Sequence, residues 1–342
     1  MARPSTEVAA LDAGLVTAVG LGLEATCAAI RCAIDAFADT AFIDDAGEWV
    51  VGAQVPLDPP VRGVERLAKL LAPASRRCLG SADEPPESIP LFVGVSEPER
   101  PGRRVDQDRL LFPLLAAELG HALDGRSEIV PGGRIAGALA LVRALELLRS
   151  GGARFAVVAG VDCFLSSPAI ARYEEERRLL TKANSDGFIP GEAASAVLLG
   201  PPAATGPWLR VASVGFGSEP APIGSENPLR ADGLTEAVKR ALAAAGLRFR
   251  DLDCRISTLN GEQYWFKEAA LTEARCLRDR SERIAFWHPA DCVGEIGAAS
   301  VPCGMAVAFV AHRKGYAPGR EFLLHASNDD HQRAALVLRA ET

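Results

Sequence analysis

An α/β fold whose sheets are covered on both faces is what this sequence predicts, and three observations carry the prediction. Between Ile135 and Arg149 the only polar residues are Arg143, Glu146 and Arg149, three apart, so all but one narrow stripe of that helix is apolar or small and it is buried almost all round. Phe155 to Gly160 and Ala193 to Leu199 are unbroken apolar runs of strand length, as suits strands covered on both faces. The strand and helix order of the first 200 residues then recurs after the Pro/Gly-rich stretch Gly200 to Pro207, the one credible boundary. The division is into residues 1–200 and 207–342.

In chain order, Val8 to Leu11 reads as a strand, and Leu23, Cys27, Ile30 and Ile34 recur at helical spacing after a glycine-rich turn, Gly14 to Gly20. Trp49 to Val55 suits a strand, Val64, Leu67, Ala68 and Leu71 mark a short amphipathic helix, and Ile89 to Val95 reads as a central strand. Ser96 to Arg104 is charged and proline-rich, which predicts an exposed loop. Asp108 to Leu119 is a helix stopped by Gly120, and Ser127 to Val130 leads into the buried helix. Gly151 and Gly152 end that helix, and Ser185 to Phe188 is a polar turn. The second half offers strands at Trp208 to Val214, Cys254 to Leu259 and Ile284 to Trp287. Its helices are one with Leu234, Val238, Ala241, Leu242 and Ala245 on one face, one around Trp265 to Leu277, and one of small residues from Gly297 to His312; two closing strands follow.

Composition narrows the function classes. At 342 residues, 48% hydrophobic and 24% charged, the chain has an ordinary globular balance. No apolar run approaches the roughly 18 residues of a membrane span and the N-terminus lacks a signal-peptide core, so a cytoplasmic protein without membrane contact is expected. A net charge of -7 with scattered basic residues gives no footprint for nucleic acid. The eight cysteines include no C-x-x-C pair and no zinc-like His spacing; most fall inside apolar runs, as small buried hydrophobes do in a reducing compartment. Neither metal, disulfide nor cofactor is indicated.

The run GGRIAGALALVRALELLRSGGARFAVVAGVD, with SDGFIPGEAASAVLL after it, resembles the core of β-ketoacyl synthases, members of the thiolase-like superfamily. The opening Gly14-Leu15-Val16-Thr17-Ala18-Val19-Gly20 matches that family's G-x-V-T-x-x-G. The resemblance implies a thiolase-like fold of two similar α/β halves in five α-β-α-β-α layers. It also implies where a condensing site would lie. The nucleophilic cysteine, counted back from Arg149-Ser150-Gly151, falls at Arg134; the histidine of H-G-T-x-T falls at Asn260; the second histidine falls at Glu295, and its lysine at Ala290. The glycine-rich gating loop corresponds to Ser327, Asn328, Asp329, Asp330 and His331.

Condensation needs a thiolate at a helix N-terminus and donors to the developing oxyanion. All of these are replaced, and losing one member of such a coupled unit already costs orders of magnitude in rate. No catalytic residue is therefore assigned. Cys163 and Cys292 are weighed as relocated nucleophiles and set aside, and Ser185 and Asp186 receive no catalytic role. The favoured reading is a non-condensing ketosynthase homologue that acts as a scaffold or adaptor, as chain-length factors do. The S-E-P-x-R-P-G and N-G-E segments also resemble short ketosynthase-like proteins encoded beside type VI secretion components. The alternative is an acyltransferase, decarboxylase or hydrolase of altered chemistry with Glu295 as base. A homodimer pairing through Phe155 to Gly160 is expected, or a heterodimer with an active ketosynthase, together with a closed or polar pocket without an acyl ligand. Arg134 at a buried helix N-terminus needs an anion, which predicts an ion pair with Glu295, met by both arms of the guanidinium fork and assisted by Asn260.

Overall fold

The first half of the chain lays down β1 (Ala9–Thr17), α1 (Leu23–Arg31), a hairpin of β2 (Ala38–Ile43) and β3 (Trp49–Gly52), and α2 (Gly63–Ser81). It continues with β4 (Leu91–Val95), α3 (Gln107–Leu119), β5 (Glu128–Pro131), α4 (Ala136–Arg149), β6 (Ala156–Cys163), α5 (Ser167–Glu175) and β7 (Glu192–Gly200). The second half holds β8 (Trp208–Ser218), α6 (Asp232–Ala245), β9 (Cys254–Ser257), α7 (Gln263–Cys276), β10 (Ala285–Trp287), the short α8 (Ala290–Val293), α9 (Ser300–Arg313), β11 (Glu321–Ser327) and β12 (Gln332–Glu341). This computed structural model describes residues 7–203, 206–277 and 284–341. Positions 204 and 205 of the Gly200 to Pro207 stretch, and the first six residues of the N-terminus, lie outside the described residues.

The strands form one sheet in the order β10-β9-β11-β12-β8-β1-β7-β6-β4-β5. From β1 outward the pairings run antiparallel to β7, antiparallel to β6, parallel to β4 and parallel to β5. From β8 outward, β12, β11, β9 and β10 repeat those directions. The two arrays meet where Ala9 and Ala10 of β1 face Arg210 and Leu209 of β8, beside a Val211 N to Val8 O hydrogen bond of 3.0 Å. Helices α2 and α3 lie outside the first array and α6 outside the second, while α4 and α9 pack between the arrays and against each other. That is the five-layer α/β arrangement. The inner helices are apolar because both sides are covered: Val301 to Ala311 of α9 are all buried, and Gly137 of α4 sits where a Cβ would run into Pro302 of α9.

Several local expectations change. β1 runs on through Thr17, so Gly14 lies in a strand against the backbone of Ala74 rather than in a turn. α1 ends at Arg31 and leaves Ile34 exposed. α2 is long rather than short, because its apolar face continues through Leu70, Leu71, Cys78 and Leu79. β2 and α5 were not anticipated. Ser96 to Arg104 is not simply an exposed loop: Ser96 and Arg100 are buried, with the Arg100 guanidinium 4.1 Å from the Phe164 ring centre and ion-paired to Glu97 and Asp162. The expected dimer strand is also corrected. Phe155 to Gly160 enters β6, whose two edges are taken by β7 and β4, so it cannot pair with another chain. Among the described residues the edge strand of the first array is β5, paired with β4. No helix among the described residues is long and apolar enough to cross a membrane.

Candidate functional site

The chain leaves β5 through Gly132 and Gly133 and makes one 3-10 turn, Gly133–Ile135, before α4 begins. Gly133 has φ +57, and a Cβ there would strike the Glu97 carboxylate, so only glycine suits the position. Arg134 is thereby held at the entrance to the buried helix, itself only 4% exposed. Glu295 reaches the same point from the second half. Its backbone is clamped to the Ser-Asp-Gly-Phe-Ile-Pro-Gly-Glu segment by Glu295 N to Ile189 O, 2.8 Å, and Gly191 N to Glu295 O, 3.0 Å.

Arg134 Nε donates to Glu295 Oε2 at 2.7 Å. Asn260 Nδ2 donates to the same oxygen at 2.7 Å, and the Gly297 N–H donates to Oε1 at 2.8 Å. The predicted pair is therefore present, but not fork to fork: Arg134 Nη1 turns instead to Asp329 Oδ1, 2.6 Å away. Asp329 is shared. Arg178 Nη1 donates to its Oδ2 at 2.7 Å and Nη2 to its Oδ1 at 3.0 Å, while Arg178 Nε meets Glu262 Oε1 at 2.7 Å. Glu262 Oε2 also accepts from Asn260 Nδ2 at 3.1 Å and from Trp265 Nε1 at 2.9 Å. Two guanidiniums and three carboxylates thus gather at the start of α4, under the Trp265 ring, whose centre is 4.9 Å from the Arg134 guanidinium.

Burial alone would lower the Arg134 pKa, but the charges of Glu295 and Asp329 outweigh it and hold the guanidinium above its ordinary value. Burial likewise pushes the Asp329 carboxyl up, and Arg134 and Arg178 overcome it to leave the group well below the usual carboxylate range.

The five gating-loop positions divide. Asn328 and Asp329 face Arg134's turn: Asn328 Oδ1 accepts from the Ile135 N–H at 3.2 Å and its Nδ2 donates to Gly132 O at 2.9 Å. Ser327 instead donates to Glu268 Oε2 at 2.6 Å, Asp330 is exposed, and His331 Nδ1 lies 2.7 Å from the Glu219 carbonyl oxygen. Ala290 opens the short α8, while Cys163 and Cys292 are unsuited to attack. Burial and then the charge of Glu192 push the Cys163 thiol well up, and burial holds Cys292 up at about 11. Glu192 itself is tied to the buried Arg66 and to the Val55 N–H, a structural use of the Gly-Glu pair.

Over the network opens a cleft of about 800 Å³, lined by Glu97, Glu99, Tyr173, Glu176, Arg178, Ile223 and Asp329 among others. Charged side chains of both signs line it beside apolar surface from Pro101, Tyr173 and Ile223. The arrangement can hold charge tightly in place; with both Glu295 oxygens engaged, it offers no free base there.

Solved structures share this architecture. A chain of the complex between the ketosynthase ApeO and its chain length factor ApeC from Xenorhabdus doucetiae matches with TM-score 0.80 and 14% identity, over 100% of both chains. The complex AntDE:AntF, a type II polyketide acyl-carrier protein with its hexaketide-bound ketosynthase, contains a match with TM-score 0.81 and 13% identity over 97% of this chain and 99% of that one. The fold is that of ketosynthases. A third structure with this fold, the ishigamide ketosynthase/chain length factor, matches with TM-score 0.72 and 20% identity over 97% and 99%. No protein-family model and no curated protein matches the sequence.

Sequence reasoning placed Arg134, Asn260 and Glu295 in one pocket, and there the structure brings them together. It missed Arg178, Glu262, Trp265 and the role of Asp329 as a shared anion. Arg178 stands in Tyr-Glu-Glu-Glu-Arg-Arg, which reads as a solvated charge run, and only its closeness to the Asp-Gly-Phe turn hinted otherwise.

Proposed function

We propose that this chain is a non-condensing ketosynthase homologue that works by binding a protein partner. One observation carries the reading: the helix N-terminus where a condensing thiolate would be activated is occupied by Arg134, locked to Glu295 and Asp329. No nucleophile stands there. The altered-enzyme alternative loses support because Glu295, its would-be base, already accepts three hydrogen bonds. Incubation with acyl and malonyl thioesters of coenzyme A and of an acyl-carrier protein tests this. Intact-mass measurement should show no adduct and thiol release should match buffer; an adduct or accelerated release sinks the proposal.

The neighbours described as ketosynthases with chain length factors, or with an acyl-carrier protein, support a paired way of working. So does β5, a strand at the edge of the sheet whose Ile129 is only partly buried. The partner is a second copy meeting β5 across a two-fold axis, with a heterodimer as the competing arrangement. The secretion setting rests on the Ser96 to Gly102 and Asn260 to Glu262 segments alone. Light scattering should give twice the chain mass, reduced toward one by Ile129→Lys; a wild-type monomer at micromolar concentration refutes the homodimer.

A further inference from the structure

We propose that Arg134 and Arg178 form a carboxylate-binding clamp which this chain closes with its own Asp329, and that a small organic carboxylate entering the cleft takes the place of that side chain. The division of labour among the hydrogen bonds points this way. Each arginine is fixed on its Nε side by a buried acid from elsewhere in the fold, Arg134 by Glu295 and Arg178 by Glu262. Arg178 Nη2 is shared, donating to Glu262 Oε2 and to Asp329 Oδ1 at 3.0 Å each, while Arg134 Nη1 and Arg178 Nη1 turn wholly to Asp329. They meet a single carboxylate there, Oδ1 taking Arg134 Nη1 at 2.6 Å and Oδ2 taking Arg178 Nη1 at 2.7 Å. Such planar forks suit a carboxylate.

The two inner acids have side chains at most 5% exposed, whereas the Asp329 side chain is 30% exposed and lines the cleft of about 800 Å³. Asp329 also sits on the short hairpin between β11 and β12, where Asn328 independently anchors the loop to the backbone of the α4 turn through Ile135 N and Gly132 O. Charge fits as well: without Asp329 the two guanidiniums and two inner acids balance, and an arriving anion replaces one negative charge by another. The neighbouring Tyr173, Ile223 and Pro101 give the remainder of such a ligand an apolar wall.

The inference rests on the non-condensing reading, which the adduct assay tests separately. Acetate is the probe here, with chloride at matched ionic strength as control and inorganic phosphate as a second oxyanion. Asp329→Ala should lower Tm by ~5 °C or more. Acetate over roughly 1–100 mM should recover most of that loss, while chloride does not. The wild type should respond less, because its tethered carboxylate competes at an effective concentration on the order of millimolar. Asp329→Asn gives the same comparison with the loop's shape kept, and if neither variant stays folded, refolding yield in acetate against chloride supplies the readout. Adding Arg178→Ala to Asp329→Ala should abolish the recovery. The proposal is overturned if Asp329→Ala is as stable as wild type without added anion, if acetate does no more than chloride, or if recovery survives Arg178→Ala. Phosphate acting where acetate does not would also overturn the carboxylate assignment.

Discussion

The two central helices begin in opposite ways although their halves share one strand topology. α9 starts from the turn Gly297–Ala299, where Asp162 Oδ2 accepts from the Ala298 N–H at 3.0 Å; Gly297, at φ +49, leaves room that a Cβ would deny to that carboxylate. An anion at a helix N-terminus is the favourable case. α4 starts from Gly133–Ile135 with a neutral cap, Asn328, and a cation, Arg134. That cation opposes the helix dipole and is desolvated, and the fold answers with Glu295 and Asp329 bound to it and Glu262 one step away. A cation at such a place is tolerated only if anions from distant parts of the chain converge on it.

The comparison breaks most severely at Glu295. Glu295→Ala leaves Arg134 buried beside Asp329 alone and should cost about 3–5 kcal/mol in urea unfolding. Replacing both partners, Arg134→Leu with Glu295→Gln, should cost clearly less than the sum of the two single losses, since Asp329 keeps its pairing with Arg178 and neither member of the broken pair is left without the other; a sum of two large losses instead would show that the pair is not coupled. At the α9 end, Asp162→Ala removes a cap but leaves Arg100 its contact with Glu97, so the loss should be about 2 kcal/mol by the same measurement.

Acid should give the smallest effect near neutrality. The folded pKa of Asp329 lies below its unfolded value near 3.9, so its contribution is fully present above about pH 4 and is lost as pH falls through the folded value. Stability of the wild type should therefore fall faster between about pH 4 and pH 2 than that of Asp329→Asn. Equal slopes would mean that Asp329 is not held by the two arginines in solution.

Much of the fold was legible because covered strands and a helix apolar all round leave strong patterns, as in Ala193 to Leu199 and Ile135 to Arg149. What escaped was short or half-exposed: β2 alternates little, and α5 carries Arg172, Glu174 and Glu175 around only three buried side chains. At the site, the motif resemblance led to Arg134, Asn260 and Glu295. Arg178 could not be reached that way, since nothing in a charge run says which arginine turns inward. The edge strand was mistaken because apolar length distinguishes a covered strand from an exposed one, and β6, the more apolar, is the covered one. Glu128 and Pro131 marked β5 as the edge.

The meeting of first and last strands in each half governs how the chain must assemble. Ala9 faces Gly200, and Trp208 faces Glu341, so neither array closes until its final strand exists. During synthesis β1 waits unpaired until β7 emerges, and the contact it then makes spans nearly the whole first half. Long-range closure of this kind is slow and leaves apolar strands open to wrong partners. Because each array pairs its own first and last strands, the strands of the first can all be paired before the second is made, whereas the Arg134 network, drawn from both, can form only at the end.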